Sequence, residues 1–200
     1  MGTFLFLLGL IALGISLYAP HFNARRVARV EQRAQETATV LLECAAALPQ
    51  PLRFDAAQQS ELREAAHARL RDLGHPAATL PEPAPVDDPR PGYRFAGRHY
   101  CFLVTHTPPA EQDQPGSRPA LAAIEVLAWP DSHASPGHTA FFCASDAPAA
   151  FTRNLVAGYL GFHVAPSPGA ARPNAEFRGQ ADQSWYRSVN DERWLLIATQ

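Results

Sequence analysis

The sequence contains no lysine: all 17 basic residues are arginine, set against 19 acidic ones for a formal net charge of −2. With no diffuse cationic surface, nucleic acid is not an expected partner. Cysteine is sparse, at three, and no two stand as C-x-x-C. An odd number cannot all pair within one chain. There is no G-x-S-x-G elbow, no H-x-x-x-H spacing and no internal repeat, so neither a hydrolase nucleophile nor a paired metal motif is signalled. No charged residue precedes Arg25. Two hundred residues make one domain, with or without an appended segment, and exclude a multi-domain enzyme.

Proline is abundant, at 19, beside 12 glycines and a 46% hydrophobic content. A chain of this kind folds, but with short elements and long irregular connections. Its longest apolar stretch is at the front. Phe4 to Tyr18 holds ten Leu, Ile or Phe residues interrupted only by Gly9, Ala12, Gly14 and Ser16. Ten such residues favour insertion into lipid by about 3 to 6 kcal/mol. A helix from Met1 to Ala19 would run about 27 Å, close to a hydrocarbon core of about 30 Å. The expectation is a retained transmembrane anchor over 1–20, with the lipid bilayer as its partner. A cleaved signal peptide fits less well, because no basic leader precedes Phe4 and Pro20 follows the one small residue at the end. A buried core helix is the third reading.

Arg25, Arg26, Arg29 and Arg33 follow the apolar run and, by the positive-inside rule, point the remainder toward the cytoplasm. The prolines, the missing lysines and a possible disulfide point the other way. The expected placement is the inner (cytoplasmic) membrane, single-pass, with an extracytoplasmic or periplasmic head.

From Asn23 to Leu48, apolar residues at Val27, Val30, Ala34, Ala38, Leu41, Ala45 and Leu48 recur at helical spacing, and Pro49 and Pro51 end the pattern. Asp55 can cap a second helix through Leu73, with Gly74 as its stop. These two form a juxtamembrane helical region over 21–75. The segment 76–91 reads as a proline-rich linker. Within 92–200, Tyr93 to Phe95, Arg98 to Thr107, Leu121 to Trp129 and His138 to Ser145 read as antiparallel strands of a β-rich head. Phe151 to Val164 is ambiguous between a strand pair and a short helix, Gly179 to Val189 reads as helix, and Arg193 to Ala198 as a closing strand. The fold class is therefore α+β, with two helices after the anchor and a small antiparallel sheet.

Candidate chemistry is thin. Cys101 and Cys143 each sit mid-strand, and if those strands are neighbours in the sheet a bond between them would close a loop of about 40 residues, contributing roughly 3 to 4 kcal/mol. The alternative is that both are small apolar core residues. Cys44 falls beside the stripe of the long helix, as a buried free thiol. His99 with Cys101, and His138 with Cys143, could bring four metal-capable side chains together, but no paired spacing supports a metal, and none is expected. Asp87 and Asp88, and Asp191 and Glu192, are adjacent acids in a linker and a turn, where carboxylates are usually solvated. No catalytic residue and no cofactor is expected, and the protein is not read as an enzyme. Phe141, Phe142, Trp129, Trp185 and Tyr186 read as core.

The stretches GYRFAGRHYCFLV, LAAIEVLAWPDSHASPGHTAFFC and NAEFRGQADQSWYRS, following an apolar segment that runs into an amphipathic helix, resemble type IV pilins and pseudopilins. The resemblance departs from the family pattern in lacking a basic leader and in placing Leu7 where a glutamate would stand. It implies a diverged, pilin-like structural or assembly protein of the cell envelope or a secretion system, acting through contacts with other envelope or secretion-system proteins. The alternative is a membrane-anchored ligand-binding or hydrolytic domain with its site among the loops Pro108 to Pro119 and Pro166 to Arg178.

Overall fold

A computed structural model describes residues 2–84, 91–107, 123–174 and 184–197, with side chains from Phe22 onward. Two helices, α1 (Gly2–Ala47) and α2 (Ala56–Asp72), precede a 3-10 turn at Ala77–Thr79 and eight strands. The strands are β1 (Glu82–Pro83), β2 (Tyr93–Ala96), β3 (Tyr100–His106), β4 (Ile124–Pro130), β5 (Ala140–Ala144), β6 (Ala147–Thr152), β7 (Trp185–Arg187) and β8 (Arg193–Leu196). They form one antiparallel sheet in the order β1-β2-β3-β4-β5-β6-β8-β7.

α2 forms where its sequence signals it. The Asp55 carboxylate accepts the Gln58 backbone N–H at 2.7 Å, and Gly74, at φ +80°, takes the left-handed position that ends the helix. Gln58 is buried and ties three segments together. Its Nε2 donates to the Pro49 carbonyl at 3.2 Å, while its Oε1 accepts from Arg53 N–H at 2.7 Å and from the Tyr93 hydroxyl at 2.6 Å. The α1–α2 turn is thereby fixed to β2.

The alternation of side chains along the strands makes two cores. Tyr100, Phe102 and Val104 of β3, with Val126, Phe141 and Cys143, face Ala34, Ala38, Leu41 and Ala45 of α1. Cys101, Leu103, Leu127, Trp129 and Phe142 face the opposite way, against Tyr159, Ala171, Tyr186 and Trp194. β4 is buried along its whole length because both faces are covered.

Several expectations are corrected. Among the described residues no helix is long and apolar enough to cross a membrane. α1 passes Pro20 without a break, and beyond it Arg25, Arg26, Arg29, Glu31, Arg33 and Glu36 recur too densely for a hydrocarbon core. The side chains of Phe4 to Tyr18 lie outside the described ones. The transmembrane, single-pass and inner-membrane readings, and the periplasmic head with them, are therefore withdrawn. The sheet is not small either: with eight strands under two helices, the fold is not the transmembrane-helix-plus-small-sheet arrangement of a pilin. Within the proline-rich stretch, Glu82 and Pro83 pair with Ala96 and Phe95 as the edge strand β1. In the stretch read as helix, Trp185–Arg187 is strand β7, drawn into the sheet by pairing with β8. β8 does close the chain but lies inside the sheet, between β6 and β7.

Candidate functional site

Three features are candidates for function: the leading part of α1, a buried pair in the second core, and a pocket beside β6 and β8.

From Val30 onward α1 packs on β3, β4, β5 and α2. From Phe22 to Arg29 it is largely exposed. Phe22 to Arg26, Ala28 and Arg29 are exposed, Phe22 to 69%. The junction is clamped by Glu31, whose Oε1 accepts the Thr139 hydroxyl at 2.7 Å and the backbone N–H groups of His138 and Thr139 at 3.1 and 3.2 Å. The exposed segment carries Arg25, Arg26 and Arg29 and no acid.

In the second core Glu125 of β4 is fully buried. Its Oε2 meets Arg172 Nε at 3.3 Å and the Thr107 hydroxyl at 2.9 Å, and its Oε1 accepts the Gly169 N–H at 2.5 Å. Arg172 reaches Asp146 at 2.7 Å and lies over the Phe142 ring at 5.4 Å. Every polar atom in this cluster has a use in holding the loop 165–172 against β4. Its role is structural.

The pocket arises from two tight turns. After β6, Asn154 takes φ 57°, and its side chain bridges to Tyr159 in both directions at 2.7 Å, Nδ2 donating to the carbonyl and Oδ1 accepting the N–H. Gly158 at φ +60° completes the loop. Its tip presents Leu155 and Val156 to solvent, 82% and 79% exposed. Across from it the β7–β8 turn is closed by Ser188, whose hydroxyl accepts the Glu192 N–H at 3.3 Å. Asp191, at φ 59°, points outward to Arg187 at 2.9 Å, whereas Glu192 turns inward and is 1% exposed.

Glu192 Oε1 accepts from the Thr152 hydroxyl at 3.2 Å, and Oε2 is enclosed, as is the Tyr159 hydroxyl. Burial pushes this carboxyl above the usual range, offset in part by Thr152, the Ala157 backbone and Tyr159. Thr152, Leu155, Val156 and Leu195 wall a cavity of about 380 Å³ that reaches Glu192, with Arg153 and Arg193 also lining it. No second carboxylate, histidine or thiol lines it, so it offers no acid–base pair and no activated nucleophile.

The expected site residues fall elsewhere. Cys101 and Cys143 are both free. They lie in opposite cores, one on each face of the sheet, so the disulfide considered for them does not form. They are small apolar core residues, with thiols pushed by burial up to about 12 and about 11. Cys44 is half-buried, and desolvation raises its thiol. No group of three or more His, Cys, Asp or Glu side chains comes together among the described residues. His133, His138 and His163 are exposed, while burial lowers His99 and His106. Asp87, Asp88 and the loop Pro108 to Pro119 lie outside the described residues, and the loop Pro166 to Arg178 is described only as far as Asn174. Phe141, Phe142, Trp129 and Tyr186 are core, the Trp129 indole N–H donating to the Gly161 carbonyl at 2.6 Å, and Trp185 is half-buried.

Glu192 is the residue that the adjacent-acid reading missed. It stands two positions before Trp194, so the period of a strand places both on one face, and Trp194 is fully buried. That register was the available signal.

No protein-family model, no curated protein and no solved structure matches this chain.

Proposed function

We propose that the protein is a structural or assembly component that acts through protein–protein contacts, with the leading part of α1 as its contact element. The observation that supports this reading is the exposed stretch of helix from Phe22 to Arg29, where Phe22 is 69% exposed. A lone helix is marginal in water, and its stability in a folded protein comes from packing one face. This segment continues from the clamped part of α1 with most of its residues exposed, which leaves a face for a partner. Three arginines and an aromatic group favour a partner helix with acidic residues flanking an apolar stripe. The pilin and pseudopilin resemblance enters only as a mode of assembly, helix against helix.

A photo-crosslinking residue at position 26 of the full-length chain tests the reading. The expected result is one defined adduct that is lost when Arg25 and Arg29 are replaced by Glu, with the unfolding temperature unchanged. A residue at Asp72 on α2 should give no adduct. Equal or diffuse adducts from both positions, or adducts indifferent to the charge reversal, would sink the proposal.

A further inference from the structure

A second cavity lies between α1, the segment after α2 and the β2–β3 turn. It measures about 90 Å³ and is walled by Arg33 and Thr37 of α1, by His75 and Thr79, and by Arg98 and His99 of the turn. Val30, Ala34, Tyr100 and Phe102 supply its apolar wall. Of these residues only Arg98 is exposed. About 10 to 15 Å³ on this measure holds one water, so the cavity takes a group of several heavy atoms.

Its charge is unbalanced, because no carboxylate lines it among the described residues. Glu36 faces His75 Nε2 at 2.9 Å and accepts from Gln32 at 2.8 Å, Glu31 accepts from Thr139, and Asp131 accepts from Ser132 and Ser135. Arg33 and Arg98, by contrast, make no ion pair and no side-chain hydrogen bond among the described residues. Thr79 is satisfied, its hydroxyl donating to the Pro76 carbonyl at 2.8 Å. Thr37 is 3% exposed, and its hydroxyl bonds to no other described residue. The nearby Thr39 donates to the Gln35 carbonyl at 3.1 Å, the usual outlet for a hydroxyl within a helix. Thr37 does not take that outlet, which leaves the cavity. Water satisfies a hydroxyl, whereas two guanidinium groups around a partly enclosed space favour an anion.

The wall chemistry narrows the class. A phosphate monoester carries about −1.5 to −2 charge at neutral pH and three strong acceptor oxygens, which suits two arginines and a hydroxyl. A carboxylate brings only one charge. Each guanidinium fork can pair two phosphate oxygens at once. The Tyr100 hydroxyl is committed to the Thr139 carbonyl at 2.9 Å, so its ring is what it offers the cavity, beside Phe102 and Val30. That wall suits the carbon side of an ester.

We propose that this cavity binds the phosphoryl head of a small organic phosphate monoester. Arg33 and Arg98 pair its oxygens, the Thr37 hydroxyl donates to it, and the first carbons of the ester lie against Val30, Tyr100 and Phe102. Binding is a noncovalent equilibrium, and no bond is made or broken.

The probe is phenyl phosphate, titrated at pH 7.5 into the isotope-labelled full-length protein in about 0.15 M salt, where charges are screened beyond about 8 Å. Backbone amide shifts at Thr79 and at Gly97 to Tyr100 should saturate, while those of Asn154 to Gly158, beside Arg153 and Arg193, stay in place. Inorganic phosphate and benzoate, titrated separately, should each bind at least about fivefold more weakly, the first for want of apolar contact and the second for want of charge. Arg33→Gln with Arg98→Gln should weaken phenyl phosphate about tenfold or more and keep the parent's unfolding temperature, since neither arginine has a partner among the described residues. Thr37→Val removes the hydroxyl at similar volume and should weaken it about threefold to tenfold. No saturable shift, shifts of equal size at Asn154 to Gly158, benzoate or inorganic phosphate binding as tightly as phenyl phosphate, or an affinity unchanged by either set of replacements would each overturn the site. Any of these results leaves the α1 contact reading where it stands, because none of the substituted residues lies within Phe22 to Arg29.

Discussion

Arg172 Nε stands 3.3 Å from Glu125 Oε2 beneath a loop, joining a residue of the central strand β4 to one 47 positions later. Glu125 is fully buried, whereas the Arg172 side chain retains 14% exposure and also reaches Asp146 and Thr107. The pair is therefore a latch between sheet and loop.

Breaking one side of a buried pair leaves an uncompensated charge, which costs about 3 to 5 kcal/mol. Arg172→Ala should fall at the low end, because Thr107 and Gly169 continue to donate to Glu125. Urea unfolding followed by tryptophan fluorescence measures it. Adding Glu125→Leu to that background should recover part of the loss, since the stranded carboxylate is then gone. A single Arg172→Ala variant as stable as the parent would contradict the latch.

Glu192 makes stability depend on pH in a defined direction. Its carboxyl is raised in the folded state above an ordinary value near 4.5, so the folded protein holds this proton more tightly than the unfolded chain does. Its contribution is fully present below the unfolded value and is lost as pH rises through the folded one. Glu192→Gln removes the titration while keeping the shape. The variant should gain on the parent progressively from about pH 4.5 upward and hold a constant advantage once the folded carboxyl is ionised. Unfolding free energies measured across that range test the sign; an advantage that shrinks with pH would refute it.

Much of the frame is legible in the sequence, and the reasons are local. Asp55 as a cap, Gly74 as a stop and the prolines after Leu48 depend on nothing distant, and the structure places α2 between the first two. The strand segments around Phe102, Val126 and Phe142 announce themselves by side-chain type. What is not legible is set by pairing. Trp185 to Arg187 is too short to show alternation, and it becomes a strand because β8 inserts beside β6 and offers a free edge. The disulfide expectation failed for a related reason. Cys101 and Cys143 are two strands apart, and the register that pairs Cys101 with Trp129 and Val126 with Cys143 sends their side chains to opposite faces. The Glu192 pocket depends on the left-handed backbone of Asn154 and Asp191, which no periodicity reveals.

The three free thiols give a direct check on the two-core arrangement. Cys101 and Cys143 are 2% exposed, with thiols raised by burial, and the thiolate is the reactive form. A water-soluble maleimide at pH 7.5 should modify Cys44 slowly in the native protein and reach Cys101 and Cys143 only after unfolding. Intact mass should show one adduct before urea and three after. One adduct after urea without reductant would mean that a bond has formed within the chain.

The last relationship concerns the joint that carries α1. A Cβ added at Gly137 would lie 2.5 Å from the Tyr100 hydroxyl oxygen and 2.9 Å from its ring. The ring cannot retreat: it is buried, its hydroxyl donates to the Thr139 carbonyl at 2.9 Å, and Glu31 of α1 holds Thr139 by both its N–H and its hydroxyl. Gly137→Ala should therefore cost about 1 to 3 kcal/mol through overpacking. Gly74→Ala makes a useful contrast. No atom lies within 4 Å of its added Cβ, and the cost is confined to placing alanine at φ +80°, about 1 kcal/mol. If the clash at Gly137 is with the phenol, Tyr100→Phe combined with Gly137→Ala should destabilise less than the sum of the two single changes. Strict additivity in that cycle would show that Tyr100 is not what fixes the residue at 137 as glycine.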